Sequence, residues 1–182
     1  TPVLVTNVPR RVAIDLDPRP DLGLPQGIYG HGFVRASIEA IEAVCTPLDP
    51  PTRTDLLAMA APSHGTGAYC GDEIRGILRT AYTGFAAVRD ETRRLHGHRA
   101  AAVVHTGFWG CGAFGGNREL MVAAQVIAAR AAGVDRLVLH TVGDGGRPDA
   151  ERGVDTGSGT SPGEAVDALT ARGFEWGEGD GT

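Results

Sequence analysis

The residues best suited to chemistry in this 182-residue chain run Thr106-Gly107-Phe108-Trp109-Gly110-Cys111-Gly112-Ala113-Phe114-Gly115-Gly116-Asn117. Glycine and alanine leave main-chain N–H groups uncovered, and glycine permits the positive φ angles of a tight turn. A helical pattern follows directly. The first amides of a helix lack internal acceptors and sit at the positive end of its dipole. That combination suits a phosphate or diphosphate. Two other readings stay open at this point. Gly110-Cys111-Gly112-Ala113-Phe114-Gly115 fits G-x-G-x-x-G, the turn of a Rossmann dinucleotide site, although Asp144 lies 29 residues beyond Gly115 rather than the ~20 usual for the ribose-binding acid. The third reading is a strand-to-helix turn whose glycines serve packing alone.

Other reactive side chains are sparse. His96 and His98 form an H-x-H pair without an accompanying acid or Cys cluster, so no metal site is expected. Cys45, Cys70 and Cys111 are odd in number and lack C-x-x-C spacing, so neither a disulfide framework nor a zinc site is indicated. Cys111 is expected as a packing thiol and Trp109 as a wall of the core. Asp15 and Asp17 read as a solvated strand end. His105 and His140, near strand ends, read as core or supporting histidines, and Arg118 as a candidate phosphate contact.

These residues require positioning elements. Ala100 to His105 is a short apolar run, expected as a strand buried on both faces. Leu120, Val122, Ala123, Val126, Ile127 and Ala131 recur at helical spacing from Asn117 to Ala132, with Gly133 as a stop. Arg136 to Val142 is the next strand, parallel to the first because a helix connects them. Upstream, Pro2 to Val8 and Arg11 to Leu16 read as two strands or one interrupted at Pro9. Phe33, Ile38, Ile41 and Val44 suggest a helix ending before Pro47, and Pro47 to Gly71 a long loop with a helical turn at DLLAMAA. Asp72 is the expected N-cap of a helix running to Leu95, with Gly97 as its stop. Gly143 to Thr160 reads as a flexible linker. Ser161-Pro162-Gly163-Glu164 has capping-box form ahead of a short helix, followed by a Phe174–Trp176 strand and a polar tail.

The segment HTGFWGCGAFGGN with RELMVAAQVIAARAAGVDRLVLHTVGD resembles the diphosphate-binding loop, helix and strand of the poly(ADP-ribose) glycohydrolases. Arg11-Val12-Ala13-Ile14-Asp15 and Leu78-Arg79-Thr80-Ala81-Tyr82-Thr83-Gly84-Phe85 are similar to further stretches of that family. The resemblance implies a macrodomain: a three-layer α/β/α fold with a mixed, mainly parallel sheet, here expected to be incomplete at its N-terminus. It implies a core over residues 1–142, then the 143–160 linker, then a helix and tail over 161–182. It implies hydrolysis of ribose–ribose bonds in poly(ADP-ribose) to release ADP-ribose, or binding of ADP-ribose without cleavage. The loop Gly110, Cys111, Gly112, Ala113, Phe114, Gly115 and Gly116 would hold the diphosphate, with the amides of Gly112, Ala113, Phe114 and Gly115 as donors. Phe108, Asn117 and Val142 would be ligand contacts. Phe108 stands where the family often has Asn, and Val142 where it has an aromatic that stacks on adenosine, a role Phe33 or Tyr29 would have to fill. The family's glutamates lie on a Gly-rich loop ending in Gln-Glu-Glu that precedes the diphosphate motif. No such segment occurs in this sequence, and Glu151 and Glu164 follow the motif, so no catalytic residue is assigned and the catalytic loop is expected outside this chain.

Composition narrows the partners. Net charge is −5, from 22 acids against 17 bases, which argues against a broad nucleic-acid surface. Expected partners are ADP-ribose and poly(ADP-ribose), free or on ADP-ribosylated proteins, with no DNA, membrane, cofactor or metal. All the bases are Arg. No apolar run approaches the ~18 to 20 residues needed to cross a bilayer. A cytoplasmic setting and a fragment of a longer protein are the remaining expectations.

Overall fold

The computed structural model describes residues 1–25, 27–28, 31–62, 65–141 and 144–177, with only the backbone described for His31 and Asp144. The chain is α/β. In order it forms β1 (Val3–Ile14), α1 (His31–Arg35), α2 (Ile38–Val44), β2 (Cys45–Ala58), α3 (Gly71–His96), β3 (Val103–Thr106), α4 (Arg118–Ala132), β4 (Arg136–Leu139), α5 (Arg147–Gly159) and α6 (Ala165–Ala171). It separates into two compact units, one of Val5–Leu56 and one of Thr1–Leu4 with the described residues from Leu57.

The Val5–Leu56 unit is built on β1 and β2, which pair as a two-stranded sheet. Neither Pro9 nor the Pro47–Pro51 run interrupts them. Each strand of a two-stranded sheet has one unpaired edge, and there a residue without an N–H costs no ladder bond. The expected long loop is thus a strand as far as Ala58, and the expected helical turn at DLLAMAA is its end. Asn7 takes φ 60° inside β1, and its N–H donates to Asp55 Oδ1 at 2.7 Å. The single helix expected before Pro47 is split at Ser37, whose hydroxyl caps α2 by accepting the Ala40 N–H. Its buried face is Ala40 and Val44, packed with Leu24 and Ile28, whereas Phe33 and Ile38 are exposed. Asp15 and Asp17 are exposed, and the Asp17 N–H donates to Asp15 Oδ1, as expected of a solvated strand end.

The second unit positions the glycine stretch. β3 and β4 pair in parallel with Val103 opposite Arg136 and Thr106 opposite Leu139. Val104 is buried against Phe85, Ala128 and Ala132, but its neighbours Val103 and His105 are exposed. The strand therefore buries one face, not two. α4 packs against both α3 and α5, and α6 packs against α3. α3 begins two residues earlier than expected, with Cys70 rather than Asp72 as its N-cap. The Cys70 N–H donates to Glu73 Oε2 at 2.7 Å in a capping box, and Asp72 sits in the first turn facing the dipole. Gly97 ends it at φ 94°. α4 has the boundaries its sequence demands. Asn117 accepts the Leu120 N–H, and Gly133 closes the helix in the left-handed region.

The segment 143–160, expected as a flexible linker, instead carries α5. Its small residues are the reason. Gly153 and Gly157 face α4 so closely that a Cβ on Gly153 would lie 2.6 Å from Val122 and one on Gly157 2.7 Å from the Ala123 carbonyl oxygen. Arg130 on α4 completes the dock by donating to the Gly157, Ser158 and Thr160 carbonyls at the end of α5. Pro162–Glu164 forms a single 3-10 turn in which the Ser161 side chain makes no capping bond, and α6 follows. The expected Phe174–Trp176 strand is reduced to one bridge between Ala68 and Glu175. Among the described residues no helix is long and apolar enough to cross a membrane.

Candidate functional site

The glycine stretch folds as two successive turns. The Cys111 N–H donates to the Phe108 carbonyl at 3.0 Å with Gly110 at φ 77°, and the Gly115 N–H donates to the Gly112 carbonyl at 3.0 Å. The Gly116 N–H then reaches back to the Gly110 carbonyl at 2.9 Å and closes the base of the loop. That closure requires glycine at 116, because a Cβ there would meet the Gly110 oxygen at 2.7 Å. The far side of the loop is tied to distant chain. The Gly177 N–H donates to the Gly115 carbonyl, Asn117 Nδ2 to the Glu175 carbonyl, and the Asn117 N–H to Tyr69 Oη at 3.0 Å.

The amides divide into two groups as a result. Those of Cys111, Gly115, Gly116 and Asn117 are spent on holding the loop, so Gly115 is not the donor expected of it. The amides of Gly112 and Ala113 have no acceptor among the described residues. Main-chain N–H groups gathered at one bend can in general receive an anion. Phe114 is 40 % exposed.

The side chains around the loop are structural. Burial pushes the Cys111 thiol up to about 12, and it packs in the core beside Leu120 and Met121. Trp109 also packs against the core, with its N–H directed to the Met59 carbonyl at 3.3 Å. Phe108 lies under the Arg118 guanidinium, 5.2 Å from its ring centroid, and against Gly146, where a Cβ would be 2.7 Å from the ring. Arg118 is held there by Phe108 and by Asp149 at 3.6 Å rather than pointing free for a phosphate. Glu119 is engaged by Arg152 at 3.0 Å and Arg172 at 3.7 Å. The carboxylates at the start of α4 and α5 are thus committed to ion pairs.

His105 and His140 are not core residues. Both are exposed at the ends of neighbouring strands, with Nδ1 of His105 2.9 Å from Nε2 of His140. His96 and His98 are exposed, and no group of three or more metal-ligating side chains occurs among the described residues. Val142 and Tyr29 lie outside the described residues. Past the C-terminal end of β4, a cavity of about 460 Å³ is lined by Leu139, Thr141, Arg147, Glu151, Val154 and Asp155. The anchors Tyr69, Glu175 and Gly177 could not be read from the linear pattern, whereas Gln125, a polar residue on an otherwise apolar helix face, is a visible signal of a buried contact.

A family model described as Poly (ADP-ribose) glycohydrolase (PARG), Macro domain fold, matches residues 44–147. The match covers more than half of the chain, which belongs to this family. The parallel β3–β4 pair, the glycine loop and α4 all fall inside the matched span, whereas Arg11–Asp15 fall outside it.

Proposed function

We propose that this member of the poly(ADP-ribose) glycohydrolase family binds the diphosphate of ADP-ribose on the Gly112 and Ala113 amides of the loop that leads into α4. The observation that carries the reading is that four loop amides hold the loop in shape, whereas those of Gly112 and Ala113 have no acceptor among the described residues. A loop fixed before the ligand arrives loses little entropy on binding. In this reading the cavity past β4 receives the nucleoside, where the carboxylates of Glu151 and Asp155 accept hydrogen bonds from hydroxyl or amino groups. Phe114 and Asn117 border the ribose side.

Hydrolysis of ribose–ribose bonds in poly(ADP-ribose) is the activity proposed for the family site as a whole. It needs a proton donor for the leaving oxygen and a carboxylate to support the oxocarbenium-like transition state. The lack of a Gln-Glu-Glu segment in this sequence, and the ion-paired state of Glu119 and Asp149, favour a second reading for this chain taken alone, as an ADP-ribose-binding module.

Titration calorimetry with ADP-ribose, against NAD and AMP, tests the binding. Replacement of Ala113 by Pro deletes one donor while suiting the second position of the Gly112–Gly115 turn. The expected result is ADP-ribose affinity that falls about tenfold or more in Ala113→Pro, in keeping with the ~1.5–3 kcal/mol of a hydrogen bond to a charged group. A folded protein with no ADP-ribose affinity would overturn the reading.

A further inference from the structure

Within the second unit, a cavity of about 340 Å³ opens beside the first turns of α3. Its lining includes Trp109, Trp176, Pro62, Ile77, Thr80 and the carboxylate of Glu73. The chain has only two tryptophans, and both are here. Their indoles are fixed. Trp109 is tethered through its N–H to the Met59 carbonyl, and Trp176 stacks on Tyr69 with centroids 4.2 Å apart and planes at 17°.

Glu73 supplies the charge. One of its oxygens accepts the Cys70 N–H, which fixes the side chain, and no cationic side chain pairs with it among the described residues. The nearby Arg75 is turned to Asp72 instead. A partly buried carboxylate with no cation, walled by two indoles and by apolar Pro62 and Ile77, is complementary to a positive group that carries its own apolar surface.

We propose that this cavity is a binding site for a compact alkylated ammonium ion, with the indoles contacting its methyl groups and Glu73 its charge. An alkylated ammonium suits the site better than a guanidinium, because one Glu73 oxygen is already committed and the carboxylate cannot offer a free two-oxygen fork. The cavity does not have Gly112 or Ala113 in its lining, and the proposal does not depend on the ADP-ribose reading.

Intrinsic fluorescence reports on it directly, since every tryptophan of the chain lines the cavity. Titration with choline is expected to give a saturable change in tryptophan emission. The uncharged isostere 3,3-dimethylbutan-1-ol should bind about tenfold more weakly, as should choline to Glu73→Gln, whose amide oxygen still caps α3. Absence of a saturable choline response, or equal affinity for choline and its neutral isostere, would overturn the proposal. Tighter binding of guanidinium than of choline would overturn the alkylammonium assignment. A choline response that persists in a protein with no ADP-ribose affinity would support this site while removing the diphosphate reading.

Discussion

The Thr106 hydroxyl donates to Gln125 Oε1 at 2.7 Å, joining the end of β3 to the middle of α4. Gln125 is fully buried, and its Nε2 donates to the Gly107 and Met121 carbonyls, both at 3.1 Å. One side chain thus fastens the strand end, the first glycine of the loop and the helix that the loop feeds. A buried amide with all its groups paired rigidifies its surroundings, and removing it leaves the partners unsatisfied.

Gln125→Leu is therefore expected to cost about 2 kcal/mol, the penalty for orphaning buried polar groups. Urea unfolding of the two proteins measures it. The Gly107 carbonyl loses its restraint, so ADP-ribose affinity should fall as well. A variant as stable as the parent would mean that the strand and loop are fixed by other contacts.

Asn117 should matter through its cap. Replacement by Ala removes the acceptor for the Leu120 N–H and the tie to the Glu175 carbonyl, and is expected to cost about 1 kcal/mol. Asn117→Asp restores only the cap. Thermal unfolding of the two variants separates the helix-capping share from the share contributed by the C-terminal segment.

The α4–α5 contact is a backbone-close one, so added volume cannot be accommodated by side-chain rotation alone. Gly157→Val would press on the Ala123 carbonyl oxygen and on Val126, and is expected to destabilise by about 1–3 kcal/mol. Gly159→Ala, which meets nothing within 4 Å, serves as the control and should leave the melting temperature nearly unchanged.

Alkaline pH should weaken the fold. Burial pushes the Cys111 thiol from 9.0, and the Tyr69 phenol from 10.0, each up to about 12. Between pH 9 and 12 the unfolded chain loses these protons while the folded protein retains them, so stability present below pH 9 is lost as pH rises. Melting temperatures across that range should fall, and Cys111→Ala should flatten the first part of the decline. The same burial makes Cys111 slow toward thiol reagents at pH 8, when exposed Cys70 is modified readily.

The elements legible in the sequence are those whose ends are marked by local chemistry. α4 carries Asn117 at its start and Gly133 at its end, and an apolar stripe between them, so neighbours within a few residues determine it. The glycine loop is legible for the same reason, since Gly110 and Gly116 are demanded by φ and by close main-chain approach. Only the tertiary structure decided the rest. β2 is a strand despite its prolines because β1 pairs with it, and α5 is a helix despite its glycines because α4 presents Val122 and Val126 to them. The ties from the glycine loop to Tyr69, Glu175 and Gly177 were likewise set by contacts far apart in sequence, whereas the Cys111, Gly115 and Gly116 amides are paired within the loop itself. Local pattern specifies which backbone shapes are accessible, but which donors remain unpaired depends on what the folded chain brings alongside.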